Sequence, residues 1–256
     1  MRSDRDCREV FHFLFLEWLL RVTAPSLVVL KGGVNLRFFH GSPRYSEDMD
    51  LDVDAPKLSV GTLRKKGYKI LEDPAFRRVL ATVDIVDLRV NDPRKAKHTE
   101  TTQRFGLGLV LASGQTLPTK VEFSRRGLDP GVRLERIDRE VARRHGRTAY
   151  SVAHYDGATA ARQKVVALAG RPVTQARDLF DLYLLDSRGA FAPADLASLD
   201  PSTREQAIDH ALSLSFADFD GQVLEFLDED AARTHGTPEA FEAMQAAVVA
   251  QIEGTP

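Results

Sequence analysis

Four aspartates, Asp48, Asp50, Asp52 and Asp54, alternate with Met49, Leu51 and Val53. A period of two describes a β-strand with one apolar and one acidic face. Aspartate is a poor strand former. Same-face neighbours stand about 7 Å apart, so carboxylates in a row repel one another and call for compensating positive charge. Two hard divalent cations, bridged by carboxylates and a triphosphate, supply it, because Mg²⁺ favours a few carboxylates together with phosphate oxygens. Such a pair activates an attacking hydroxyl and neutralises the leaving pyrophosphate. A solvated edge strand is the other explanation of the pattern. Upstream, Lys31-Gly32-Gly33 follows an apolar run, and its bare backbone amides suit close approach to phosphate oxygens.

A third carboxylate on a neighbouring strand completes many metal sites of this kind. Glu122 in Lys120-Val121-Glu122-Phe123 is placed for it, sharing a face with Lys120; an amphipathic edge strand again explains the same alternation. Ser46, two residues before the first aspartate, has either a phosphate or the local backbone as its partner. A second constellation lies downstream. Lys164 and Arg171 are seven apart and share a helix face if the helix reaches that far, and Asp178 and Asp181 share another. A lysine facing a triphosphate stabilises charge building on the phosphates. A salt-bridge set between two packed helices fits the same spacing.

The elements that must position these groups are legible from periodicity. Residues 2–23 read as an amphipathic helix rather than a secretion signal, because Glu17 interrupts the apolar run and Asp4, Asp6 and Glu9 sit among the bases. Ser26–Leu30 reads as a buried strand, Val34–His40 as a short helix, and Leu58–Leu80 as helix interrupted near Asp73-Pro74. Phe105–Leu111 and Pro118–Ser124 read as a hairpin across Ser113-Gly114. From Leu134 onward the pattern is mostly helical, with two helices in Gly157–Leu185 broken at Gly170-Arg171-Pro172. We place a domain boundary after the last expected strand, giving residues 1–128 and 129–256. His40, His145, His154 and His235 show no metal-binding spacing and read as surface or loop residues, and Trp18 as a core aromatic.

Composition narrows the class. The single cysteine, Cys7, leaves no intramolecular disulfide partner, and no run spans a bilayer, which points to a cytoplasmic protein without a membrane partner. The formal net charge of -2 hides an asymmetry: Phe191–Pro256 carries two bases against 13 acids, and the rest carries 33 bases against 24 acids. A net of +9 on the front portion suits a polyanion, and mutual neutralisation within one fold is the plainer account. The bases concentrate between Arg125 and Arg147, with eight arginines against four acids.

Together the pieces resemble a known family. Lys31-Gly32-Gly33 with Arg44-x-Ser46-x-Asp48-x-Asp50, then Lys164-x-x-Ala167, Arg171 and Arg177-Asp178-x-x-Asp181, are similar to the AbiEii-type nucleotidyltransferase toxins, which include the MenT group of toxin–antitoxin and phage-defence systems. The resemblance implies a bilobed α/β (α+β) nucleotidyltransferase fold: a mixed-sheet N-terminal lobe, and a helical C-terminal lobe closing an NTP cleft. It implies Asp48, Asp50, Lys164 and Asp178 as catalytic residues, and Asp48, Asp50 and Glu122 as ligands of Mg²⁺ or Mn²⁺. Lys31, Gly32, Gly33, Ser46, Lys164 and Arg171 would then meet the nucleotide, CTP or another pyrimidine NTP. Some members extend the 3′ acceptor end of tRNA and block translation, so tRNA is the expected acceptor and a cognate antitoxin the expected protein partner. Asn35 departs from the small residue expected there, and Gly-Gly stands where the wider superfamily has Gly-Ser; neither change removes a catalytic group. Transfer to a small molecule or a protein, and an inactive NTP-binding module, are the competing readings.

Overall fold

The computed structural model describes residues 2–92 and 96–254. The chain divides into two compact units, one formed by residues up to Phe39 together with Ser46–His154, the other by His40–Tyr45 together with the chain from Tyr155 onward. The division falls after His154 rather than near residue 128, because a last strand beyond the basic segment joins the sheet.

The first unit is built on seven strands: β1 (Val28–Lys31), β2 (Met49–Val53), β3 (Ile85–Val90), β4 (Thr102–Leu111), β5 (Thr116–Ser124), β6 (Val132–Arg136) and β7 (Ser151–Tyr155). They lie in the order β3-β4-β5-β2-β1-β7-β6. β2 runs antiparallel to β1 and parallel to β5, and β4 and β5 form the expected hairpin. Neither β2 nor β5 is an edge, which removes the solvated-edge explanation of both charged faces. The apolar faces are fully buried, through Met49, Leu51 and Val53 on β2 and Val121 and Phe123 on β5.

Helices α1 (Asp4–Val22), α2 (Gly32–Phe39), α3 (Val60–Glu72), α4 (Pro74–Ala81) and α5 (Arg139–Arg144) belong to the same unit. Asp73 ends α3 and caps α4 through Ala75 and Phe76, which explains the expected interruption. α1 departs from a one-sided amphipathic helix: every residue from Glu9 to Leu16 is buried. Its polar members are matched instead of exposed. Glu9 accepts from Arg37 at 2.5 Å and pairs with His145 at 2.9 Å, while His12 bonds Thr119 at 3.0 Å. Trp18 is partly buried on the core against Phe76.

β6 and β7 are exceptions to the mainly helical pattern after Leu134, which the helices downstream otherwise bear out. All five residues of β6 are exposed, so it carries no burial periodicity. His145 and His154 are likewise buried rather than superficial. His154 is stacked on Phe39 and bonded to Asn35 at 3.0 Å, which gives Asn35 a structural task in its place after Gly-Gly.

The second unit is helical: α6 (Gly157–Gly170), α7 (Ala176–Ser187), α8 (Pro201–Ser213), α9 (Phe216–Gln222), α10 (Glu229–His235) and α11 (Pro238–Glu253). α6 and α7 are separated at the expected break, and both α6 and α11 pack on α7 and α8. The segment His40–Tyr45 is tied to this unit by the Arg44–Leu227 bridge and by the Tyr45 amide donating to the Phe226 carbonyl. No helix among the described residues is long and apolar enough to cross a membrane.

Gly67 shows how tightly α3 sits on the sheet. A Cβ there would lie 2.5 Å from the Phe105 ring, inside any permitted contact. Gly67→Ala is expected to lower unfolding stability by about 1–3 kcal/mol, the usual range for overpacking, as read from urea denaturation.

Candidate active site

The register of the sheet aligns charged residues in one row across four strands. Lys31 on β1 pairs with Asp50 on β2, Asp50 with Glu122 on β5, and Glu122 with Arg104 on β4. The expected third carboxylate therefore does stand beside Asp50. The flanking carboxylates are already matched by cations. Lys120 holds Asp48 through its ammonium at 2.7 Å and its backbone N–H at 3.1 Å. Lys31 pairs with Asp52 at 2.6 Å, Lys57 with Asp54 at 2.8 Å, and Arg104 with Glu122 at 2.6 Å.

Asp50 is the exception. Among the described residues, no hydrogen bond or ion pair reaches its carboxylate. Burial raises its pKa above the ordinary aspartate value, and Glu122 and Asp48 add to the rise against Lys31 and Lys120. Gly32 takes a positive φ of 67° where β1 turns into α2, and a Cβ there would lie 3.0 Å from Asp50 Oδ2. Glycine is thus required twice at this position, by conformation and by the carboxylate's approach. Gly33 is buried in the first turn of α2. Ser46 takes the local option, donating to the Asp48 carbonyl at 2.8 Å. No group of three or more His, Cys, Asp or Glu residues among those described forms a metal-binding cluster.

The second constellation is a buried ionic network within the helical unit. Lys164 on α6 contacts Asp178 at 2.9 Å and Asp181 at 2.6 Å, both on α7. Arg44 grips Asp181 with two bonds of 3.0 and 2.8 Å, and Arg171 donates to Asp178 at 2.6 Å. Arg171 does not share a helix face with Lys164: α6 ends at Gly170, and Arg171 is its C-cap. Burial opposes ionisation of both aspartates, yet the facing cations hold their carboxyls below the usual range. Burial likewise pulls Lys164 down, and the two carboxylates more than reverse this. Arg44, Lys120 and Arg104 take part without having been singled out from the sequence as site residues. The alternation that puts Lys120 on the face of Glu122 was the available signal for one; nothing local signals the long-range pairing of Arg44 with Asp181.

The network makes stability pH-dependent at both extremes. A depressed carboxyl pKa contributes stability that is present above the ordinary value of 3.8 and lost as pH falls through the lower folded value. The raised pKa of Lys164 acts in the opposite sense: its contribution is present below 10.5 and lost as pH rises past the higher folded value. Asp181→Ala leaves Lys164 and Arg44 partly unmatched and is expected to cost about 3–5 kcal/mol. Urea denaturation across pH is expected to show this loss at neutral pH, together with a shallower acid limb than the parent's.

Comparison with known proteins bears on this arrangement. Residues 14–252 match the family model described as nucleotidyl transferase AbiEii toxin, type IV TA system. None of the curated proteins matches the chain. Among solved structures, JHP933 from Helicobacter pylori is 17% identical with a TM-score of 0.54, over 99% of this chain and 95% of that one. The nucleotidyltransferase toxin MenT4 from Mycobacterium tuberculosis H37Rv is 16% identical with a TM-score of 0.52, over 99% and 87%. At such identities the likeness establishes the fold, whereas the family model spans most of the sequence. The chain therefore belongs to the AbiEii nucleotidyltransferase toxins of toxin–antitoxin systems, and its activity is nucleotidyl transfer.

Proposed function

We propose that the enzyme adds a nucleotide from CTP or another pyrimidine NTP to the 3′ acceptor end of tRNA, with Mg²⁺ or Mn²⁺ held by Asp48 and Asp50 and assisted by Glu122. The observation that carries the metal reading is Asp50, a carboxylate that no ion pair or hydrogen bond reaches among the described residues and that Glu122 and Asp48 both repel. The donor set is all oxygen and fits a hard divalent ion. When bound, that ion activates the acceptor hydroxyl and neutralises the departing pyrophosphate. Asp48 and Asp50 would hold it, with Glu122, here paired with Arg104, as a third ligand. Gly32 and Gly33 offer backbone amides to phosphate oxygens, with Lys31 adjacent in the chain and Ser46 two residues before Asp48.

Lys164 and Arg171 are proposed as triphosphate contacts, and Asp178 as the acid that orients both. Arg44, Lys164 and Arg171 bracket Asp178 and Asp181. An ammonium has three donors, and the two carboxylates occupy two of those on Lys164. A phosphate oxygen is a fitting third partner.

For the tRNA backbone, the basic segment supplies exposed Arg126, Arg133, Arg136, Arg139, Arg143 and Arg144. Arg125 is buried against Gln103 and the Ala55 carbonyl and takes no part. The toxin–antitoxin setting implies a cognate antitoxin, and the acidic stretch from Phe191 is the candidate surface for a basic one. That stretch also supplies buried Leu196, Phe219, Phe241 and Met244, so surface-charge reversal tests the idea where truncation would strip the core.

The test is incubation of the purified chain with bulk tRNA, Mg²⁺ and each α-labelled NTP in turn. Label is expected in tRNA from one or two pyrimidine NTPs, absent with Asp48→Ala, Asp50→Ala or Lys164→Ala. Metal-dependent NTP binding without labelled tRNA would redirect the reading to another acceptor; no NTP binding at all would overturn it. Arg133→Ala with Arg136→Ala is expected to weaken tRNA binding and flatten its salt dependence by about one unit of slope per lost phosphate contact.

A further inference from the structure

Asp48 stands just outside the ladder that fixes its neighbours. The first paired residue of β2 is Met49, opposite Val121, so sheet pairing alone leaves Asp48 without a defined place. Contacts from both faces of the sheet supply one. On the charged face, Lys120 grips the Asp48 carboxylate by its ammonium and its backbone N–H. On the apolar face, the Thr119 hydroxyl donates to the Glu47 carbonyl at 2.6 Å, and His12 of α1 reaches that hydroxyl at 3.0 Å. One turn earlier on α1, Arg8 donates to the Pro118 carbonyl at 3.1 Å and approaches the Glu47 carboxylate at 3.8 Å. Two side chains spaced i, i+4 on one helix face thus address the same junction.

The direction of these bonds follows from chemistry. A carbonyl only accepts, so the single hydroxyl proton of Thr119 goes to Glu47. His12 must then donate from Nε2, which fixes its tautomer. Burial pushes the imidazole down to about 4 despite the pull of Asp48 and Glu9, so it stays neutral near pH 7. His12 and Thr119 are 1% and 6% exposed, too buried to meet a substrate directly.

We infer that His12 is a positioning residue for the metal ligand Asp48, acting through the Thr119 hydroxyl and the Glu47 carbonyl. The inference rests on the reading of Asp48 as a metal ligand. Outer groups of this kind orient a carboxylate that would otherwise sample several rotamers, and their loss weakens metal binding by about 10–100-fold.

The test uses Mn²⁺ alone, titrated into the full chain, with free ion followed by electron paramagnetic resonance and folding by thermal melting. Thr119→Val is nearly isosteric and removes the hydroxyl, Thr119→Ser keeps it, and His12→Leu removes the donor. Thr119→Val and His12→Leu are each expected to weaken Mn²⁺ binding about tenfold, with Thr119→Ser binding as the parent does. A merely structural role would lower the melting temperature and leave Mn²⁺ affinity unchanged. Parental binding by Thr119→Val and His12→Leu, with loss in Asp48→Ala, overturns this inference alone. Equal weakening in Thr119→Ser and Thr119→Val also overturns it, since packing rather than the hydroxyl would then be responsible. Parental binding by Asp48→Ala overturns the inference and the metal reading together.

Discussion

Carboxylates spaced two residues apart along an internal strand repel one another, and the backbone of β2 cannot relieve this by moving, because β1 and β5 hold it on both sides. Relief has to come from side chains. Lys120, Lys31 and Lys57 each take one aspartate, and Arg104 takes Glu122. What remains is Asp50, at the middle of the row. The same lysines that make the strand tolerable therefore concentrate its unmatched charge at one position, where burial and two neighbouring carboxylates oppose ionisation. A cation entering there would favour the ionised carboxylate.

The helical unit solves the converse problem. Asp178 and Asp181 are fully buried, and an unpaired carboxylate there would be costly. Arg44, Lys164 and Arg171 supply the opposing charge. Buried ion pairs seldom add net stability over well-packed apolar residues. An anionic ligand, as proposed for Lys164 and Arg171, would give such pairs a use beyond stability.

Features written in local periodicity were legible from sequence, including β2, the β4–β5 hairpin, the α3–α4 break and the pair α6 and α7. Features decided by distant partners were not. α1 looks amphipathic because Glu9 and His12 are polar, but both are buried against groups more than 100 residues away as well as nearer ones. His145 and His154 resembled surface residues for the same reason. β6 offered no burial pattern because none of its residues is buried, and edge position overrides periodicity. In the site, residue types on one strand face were readable, whereas the question of which carboxylate lacks a cation depends on register across four strands.

The stretch Arg44-x-Ser46-x-Asp48-x-Asp50 shows how a motif with regular spacing can join unlike tasks. Alternate side chains point the same way within a strand, but β2 begins only at Met49 and the chain bends at Glu47 and Asp48, so the regular spacing upstream is not a strand repeat. Arg44 neutralises Asp181, Ser46 braces the Asp48 carbonyl, Asp48 is clamped by Lys120, and Asp50 alone is left without a partner among the described residues. Only the last two belong to the acidic face. Ser46 braces the chain just before that face, and a clamp matters most at Asp48, where the ladder has not yet begun. Metal affinity in such a site would be set as much by the hydroxyls and carbonyls behind the strand as by the carboxylates in front of it.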